Sequence, residues 1–193
     1  AEVHDRLGDW DVARAHLESA AELLEPEGGL AMRAQVAADL ALVSYRQGDP
    51  RAEEIGEQAL RLAVQSGDAV SLSQAKNVMG VLACAQGDCE TAIGYLQESR
   101  DQAHVAGNTE LEVAALNNLA RLYAQEGAID KALASAQEAL ELGLAQGDLH
   151  RAASLHDHVA DLYHRAGQQD ESMKPVKAAA AAFSSVADPQ PRP

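Results

Sequence analysis

Two adjacent amides, Asn117 and Asn118, lie within the stretch LNNLARLYAQEG, residues 116–127, whose apolar spacing otherwise predicts a helix. Each asparagine costs roughly 0.5–0.7 kcal/mol of helix propensity relative to alanine, because its short amide competes for backbone hydrogen bonds. Helix stability therefore does not explain this pair. An amide both donates and accepts hydrogen bonds, which suits it to contact the peptide backbone of a partner.

A second group of residues that could bind a ligand is Asp157, Asp161 and His164, which are spaced i, i+4 and i+7. One helix face would present them together, as helices often present metal ligands. Three ligands without a fourth from a second helix are thin support, and exposed aspartate and histidine are common on helices. We therefore predict no metal site and no cofactor.

Catalytic motifs are missing from the sequence. It contains no phosphate loop, nucleophile elbow, zinc-protease motif or glycine-rich dinucleotide turn. Cys84 and Cys89 form neither a disulfide framework nor a zinc ligand set, and no base is visibly paired with Cys84. We predict that the protein is not an enzyme.

The charge balance and the apolar pattern exclude several classes of partner. The chain has 30 acidic and 15 basic residues, and its net charge of -15 repels a phosphate backbone. No apolar stretch reaches the ~18 residues of a membrane span, and the first residues lack the features of a signal peptide. We predict a cytoplasmic protein without direct nucleic-acid or membrane binding.

The composition favours an all-α fold. Apolar residues make up 47% of the chain, aromatic residues only 3%, and alanine dominates. Such a composition suits closely packed helices, whereas sheets need β-branched and aromatic side chains. Low lysine with abundant alanine, glycine and arginine points to a bacterial source.

Glycines recur at a nearly constant interval along the chain. They lie 40, 39, 40 and 40 residues apart, at Gly8, Gly48, Gly87, Gly127 and Gly167. A second series is Gly67, Gly107 and Gly147. A fixed period in this range is typical of stacked repeats, and glycine adopts the left-handed conformation that ends a helix. Each repeat is therefore predicted to be two helices joined by glycine turns.

These turns divide the chain into predicted helix pairs. The first helices are expected near 1–7, 31–47, 70–86, 109–126 and 149–166. Their partners are expected near 9–25, 51–66, 89–105, 129–146 and 169–186, the last interrupted by Pro175. Small residues keep one register against the turn, seven residues before it: Ala41, Gly80, Ala120 and Ala160. Such residues let paired helices approach closely.

The pattern resembles the tetratricopeptide repeat. In that family the first helix carries a large apolar, a small and an aromatic residue, and the second helix carries small residues. The fourth repeat shows this set as Leu119, Ala120, Tyr123, Ala132 and Ala139. The ~40-residue period and the LNNLA and GD phrases are most similar to the longer variant of kinesin light chains and of bacterial multidomain signalling ATPases and transcription regulators.

The resemblance implies an α-α superhelix, a tetratricopeptide solenoid of about five helix-turn-helix repeats with the first truncated. The repeats would span residues 1–30, 31–69, 70–109, 110–149 and 150–186, forming a single domain over 1–186. The proline-rich tail over 187–193 is predicted to be disordered. Because a solenoid needs polar caps, we expect flanking sequence, or a second copy of the chain in a homodimer, to cover at least one end.

In the resembled family, the face of the first helix opposite the core lines a concave groove that binds partners, often as extended peptides. In the fourth repeat that face holds Asn118, Arg121 and Gln125 at ~100° per residue. The predicted site also includes amides at the edge of the groove and the positions of other repeats that correspond to these three. These residues are Leu42, Arg46, Asn77, Val78, Val81, Asn117, His158, Asp161 and Arg165. Its apolar members suggest a patch with a polar rim, or burial against neighbouring repeats.

We therefore predict a protein–protein interaction scaffold that binds a peptide or protein segment in its groove. Asn118 would contact the partner's backbone, and Arg121 could pair with a carboxylate. The alternative is a sensor or regulatory domain of a larger bacterial signalling ATPase or transcription regulator that binds in cis. A nucleotide-binding loop or helix-turn-helix elsewhere in the full-length gene would support this alternative.

Overall fold

The computed structural model describes residues 2–24, 29–146, 149–168 and 177. Over these ranges the chain forms eight α-helices and no strand, so the predicted all-α class is confirmed there. The helices are α1 (Glu2–Leu24), α2 (Leu30–Arg46), α3 (Ala52–Ser66), α4 (Ala69–Ala85), α5 (Cys89–Val105), α6 (Thr109–Gln125), α7 (Ile129–Ala145) and α8 (Leu149–Arg165). Each of α2 to α8 begins and ends within one residue of its predicted bounds. Apart from Lys177, the predicted helix over 169–186 and the tail over 187–193 lie outside the described residues.

The first predicted pair of helices is wrong. The expected helices near 1–7 and 9–25 are one continuous helix, α1, which passes through Gly8 without a turn. Glycine permits the left-handed conformation but does not require it. A separate helix of about seven residues would be too short to be stable, and a break would leave backbone groups unpaired.

Glycine turns close α2 to α6 and α8 as predicted, and the turn predicted at Gly147 lies outside the described residues. In the described residues the left-handed glycines have φ between 65° and 82°, and they are Gly48, Gly67, Gly87, Gly107, Gly127 and Gly167. At each of these turns except that of Gly67, the residue after the glycine donates its backbone N–H back into the helix, as Asp88 N–H does to Ala83 O at 3.0 Å. This closure satisfies carbonyls that the helix end would otherwise leave unpaired.

The chain divides into two compact units, residues 1–111 (unit 1) and 112–193 (unit 2), and the boundary falls in the first turn of α6. The single domain over 1–186 stays a prediction. In unit 1, α2 packs against α1, α3 and α4, and α4 packs against α5. The main buried cluster of this unit is Ala34, Ala38, Ala41, Ala52, Ala59, Ala63, Ala75, Val78, Met79 and Leu82.

A close approach in unit 1 lies between α4 and α5. A Cβ atom on Gly80 would lie 2.6 Å from Leu96 Cγ and 3.2 Å from Ala92 O. Leu96 is only 1% exposed, so it has little room to move aside. This contact explains why the smallest residue stands at this position of the small-residue register.

Unit 2 contains α7, α8 and most of α6. Its larger buried cluster draws on all three helices and comprises Ala120, Ala124, Ala132, Leu133, Ala136, Val159 and Leu162. A smaller cluster joins Val113, Leu116, Ala139 and Leu155. The apolar stripe predicted for α6 is therefore its core face. Within the described ranges, every helix is too short or too polar to traverse a lipid bilayer.

Candidate functional site

A polar recess of about 370 Å³ lies on the surface of unit 2, between α6 and α8. Its lining residues come from one face of each helix and are Asn117, Arg121, Ser154, Asp157, His158 and Asp161. Four of these belong to the predicted groove, so the structure brings predicted residues of two successive repeats together within this unit.

The core of unit 2 aims these side chains outward. On α6, Leu116 and Ala120 are at most 1% exposed, and on α8 Val159 and Leu162 are at most 3% exposed. With 3.6 residues per turn, burying these stripes turns Arg121 and Asp161 toward solvent. The apolar pattern of each helix therefore decides which polar side chains reach the recess.

One hydrogen bond spans the recess from α6 to α8. The Nδ1 atom of His158 lies 2.9 Å from Asn117 Oδ1. Because a carbonyl oxygen only accepts, His158 Nδ1 must carry the proton and donate it. The amide group of Asn117 then retains its N–H donors for other contacts.

His158 is held in its neutral form near pH 7. Burial lowers the pKa of its imidazole, and the positive charges of Arg121 and Arg165 lower it further, against the opposing effect of Asp161 and Asp157. With Nδ1 protonated and the ring neutral, Nε2 is a hydrogen-bond acceptor. The recess thus presents an imidazole acceptor beside two carboxylates.

Arg165 was predicted to be a groove residue, but its side chain lies outside the lining of the recess. Its Nη2 atom donates to the carbonyl oxygen of Ala124 at 2.6 Å, near the end of α6. Since Arg165 does not line the recess, its guanidinium joins the ends of α6 and α8. Asn118 and Gln125 also lie outside the lining, so Asn117 is the asparagine that faces the recess.

The predicted site residues of repeats two and three belong to unit 1. Val78 is 2% exposed and lies in the same buried cluster as Ala38 and Ala41 of α2. Of the two alternatives for this position, an exposed apolar patch is wrong for Val78 and burial against a neighbouring repeat holds, because α2 packs against α4. Leu42 is half-buried and packs against the same cluster, and Val81 is half-buried.

The remaining predicted residues of unit 1 are Asn77 and Arg46. Asn77 is half-buried on α4 and Arg46 is exposed in the last turn of α2. The helices α2 and α4 are instead joined by Gln74 Nε2, which donates to Asp39 Oδ1 at 2.6 Å. This hydrogen bond was not predicted, because it requires knowing how the two helices align.

Ser154 and Asp157 line the recess although neither was a predicted groove residue. Ser154 and Asp157 precede Asp161 by seven and four residues, which places all three on one face of α8. This spacing is the sequence feature from which they could have been predicted. In the described part of the chain, no group of three or more His, Cys, Asp or Glu residues is arranged to hold a metal ion. Cys84 and Cys89 form no disulfide, and both are half-buried.

Paired helices closed by glycine turns, with small residues at their contacts, define a helical-repeat protein. Residues 68–145 match the family model of the tetratricopeptide repeat. Residues 68–145 are therefore tetratricopeptide repeats, as the sequence pattern predicted. Proteins of this family generally mediate protein–protein interactions and generally serve as scaffolds rather than enzymes.

Several solved structures are similar to this chain. BtubC (BKLC) from P. vanneervenii has a TM-score of 0.78 at 19% identity, covering 100% of this chain and 80% of that one. A putative kinesin light chain of Podosopora anserina, with nearly identical TPR-like repeats, has a TM-score of 0.68 at 16% identity, covering 96% and 92%. MamA has a TM-score of 0.63 at 18% identity, covering 95% and 94%. At these identities the likeness concerns the fold alone, and no curated protein matches the sequence significantly.

Proposed function

We propose that the protein is an interaction scaffold that binds a peptide or protein segment in the recess of unit 2. The observation that supports this most strongly is the bridged pair Asn117 and His158, which brings polar groups of successive repeats into one open site. The tetratricopeptide family, whose members generally bind proteins, is the second support.

The recess offers the groups that a peptide backbone needs. The free N–H groups of Asn117 can donate to a backbone carbonyl, and His158 Nε2 can accept from a backbone N–H. Arg121 is exposed and has no hydrogen bond or ion pair with the described residues. Its guanidinium can therefore turn to a ligand without first breaking a contact.

Selection from a random-sequence peptide display library tests this function. The parent chain and an Asn117→Ala, Arg121→Ala double variant should be compared by calorimetry with the selected peptides. We expect at least tenfold weaker binding for the double variant, since it loses hydrogen bonds at a site that remains folded. The control is Glu138→Ala, Glu141→Ala, which changes two exposed residues of α7 outside the recess.

Two outcomes would contradict the proposal. One is a set of peptides that bind the recess variant and the parent equally, with both showing the same helical circular dichroism. The other is the absence of any selected peptide. A partner segment in the same chain would bind the same surface. The full-length gene distinguishes this cis arrangement from binding of a separate protein, because it shows which domains flank the repeats.

A further inference from the structure

We infer that the recess of unit 2 recognises a cationic side chain, lysine or arginine, on the bound segment. This inference rests on the proposed function and adds the chemical class of the ligand. It replaces the expectation that Arg121 pairs with a carboxylate of the partner: Arg121 would donate to a backbone carbonyl of the segment, and Asp157 and Asp161 would hold the cationic side chain. Three observations support it: the charges of the recess, its hydrogen-bonding groups and the engagement of Arg165 outside the recess.

The charged lining of the recess is mostly acidic. Asp157 and Asp161 lie one helical turn apart on α8, and both are exposed, whereas Arg121 is the cationic group among the lining residues. Neither aspartate forms an ion pair or a side-chain hydrogen bond with another described residue. Their carboxylates are therefore open to a cation from a partner.

The hydrogen-bonding groups favour the same ligand. His158 uses its Nδ1 proton in the bond to Asn117, so the neutral ring presents Nε2 as an acceptor. An ammonium or guanidinium group carries several N–H donors and no acceptor. Such a group matches the imidazole acceptor and the two carboxylates, whereas an acidic side chain would offer only acceptors to them.

A second cation near the recess is already engaged. Arg165 donates to the backbone carbonyl of Ala124 at 2.6 Å and does not line the recess. Among the described lining residues, an acidic ligand would therefore meet Arg121 as its one cation, opposite Asp157 and Asp161. The net charge of -15 on the whole chain also attracts cationic ligands at long range.

The same geometry makes binding sensitive to pH. The charged groups that act on His158 are Arg121 from α6, and Asp157, Asp161 and Arg165 from α8. Protonation of His158 would turn Nε2 from an acceptor into a donor and place a positive charge beside the ligand. A cationic segment should then bind more weakly at acidic pH.

The test uses the peptides whose binding depends on Asn117 and Arg121. We expect these peptides to be enriched in lysine or arginine, and replacing that residue by glutamine should weaken binding about tenfold. An Asp157→Asn, Asp161→Asn variant should bind the basic peptides more weakly, by about fivefold or more. The control Glu138→Gln, Glu141→Gln removes two charges from α7 and should change binding less than twofold.

The outcomes separate this inference from the proposed function. If the peptides that depend on Asn117 and Arg121 are acidic, or if Asp157→Asn, Asp161→Asn leaves their affinity unchanged or stronger, the cationic assignment is overturned and the binding function stands. If no selected peptide depends on Asn117 and Arg121 for binding, the proposed function itself is contradicted. As a further check, lowering the pH from 7.5 to 5.5 should weaken binding to the parent, and His158→Gln should remove most of that change.

Discussion

His158 Nδ1 lies 2.9 Å from Asn117 Oδ1, so an imidazole on α8 is hydrogen-bonded to an amide on α6. These residues are 41 positions apart in the sequence, one repeat plus one residue. Their contact sets the tautomer of the histidine and therefore the hydrogen-bonding character of the recess.

Asn117→Asp should raise the pKa of His158. A carboxylate in hydrogen-bonding distance favours the imidazolium form, and such pairs shift a pKa by about one unit or more. The burial that now lowers this pKa would be opposed by a direct ion pair. An NMR titration of the histidine ring signals would measure the change.

The matched control for this titration is Gln146→Glu, which adds a negative charge to unit 2 at an exposed residue outside the recess lining. We expect it to move the His158 pKa by less than Asn117→Asp does. Equal shifts in the two variants would argue against the direct contact between Asn117 and His158.

Gly80→Ala should destabilise the protein, because overpacking costs up to about 3 kcal/mol. The added methyl group would lie 2.6 Å from Leu96 Cγ and 3.2 Å from the carbonyl oxygen of Ala92, so the contact between α4 and α5 would have to open. This cost exceeds the roughly 1 kcal/mol that alanine gains over glycine in a helix. Urea unfolding followed by circular dichroism measures the free energy of unfolding.

Gly94 on α5 provides the control for this substitution. A Cβ atom there would have no heavy atom within 4 Å. Gly94→Ala should therefore stabilise the helix by about 0.5–1 kcal/mol. If Gly80→Ala were as stable as Gly94→Ala, the tight contact between α4 and α5 would not exist in solution.

Arg165→Ala should cost about 1 kcal/mol of unfolding free energy. The carbonyl of Ala124 would lose its charged donor, and Ala124 is only 2% exposed, so water replaces that donor poorly. Arg61→Ala is the comparison, because it breaks the exposed ion pair with Glu57 on α3 and should cost less than about 0.5 kcal/mol. Similar losses in urea titrations of the two variants would show that the Arg165 bond does not stabilise the fold.

The carboxylate of Asp49 should make the protein sensitive to acid. Hydrogen bonds from the Arg51 side chain, from its backbone N–H and from Arg14 hold the pKa of Asp49 well below its usual range. The folded state therefore binds this proton less readily than the unfolded chain. The resulting stabilisation is complete above the ordinary aspartate pKa of about 3.9 and is lost as the pH falls below it.

Asp49→Asn should be less stable than the parent at pH 6, and the difference should shrink as the pH falls toward 2. Urea unfolding midpoints at pH 6, 4, 3 and 2 would show this convergence. Asp101→Asn, which alters an exposed carboxylate on α5, is the control. A difference between Asp49→Asn and the parent that stays constant over this range would contradict the proposed role of Asp49.

Local features of the sequence were sufficient to predict most helices. The apolar spacing and the turn glycines specify backbone hydrogen bonds between residues that are near in sequence, so α2 to α8 were placed within one residue. The same reasoning failed at Gly8, since a glycine allows a turn but does not force one. The family could also be predicted, because its pattern repeats along the chain.

The positions of side chains between helices were decided only by the tertiary structure. Asn117 and Asn118 are neighbours on one helix, and only the placement of α8 brings Asn117 rather than Asn118 into the recess. Val78 was predicted to face a partner, yet packing of α2 on α4 buries it. The hydrogen bond from Arg165 to the carbonyl of Ala124 likewise joins two helices. The periodicity of a single helix fixes the relative directions of its side chains, whereas their burial and partners depend on how neighbouring helices approach.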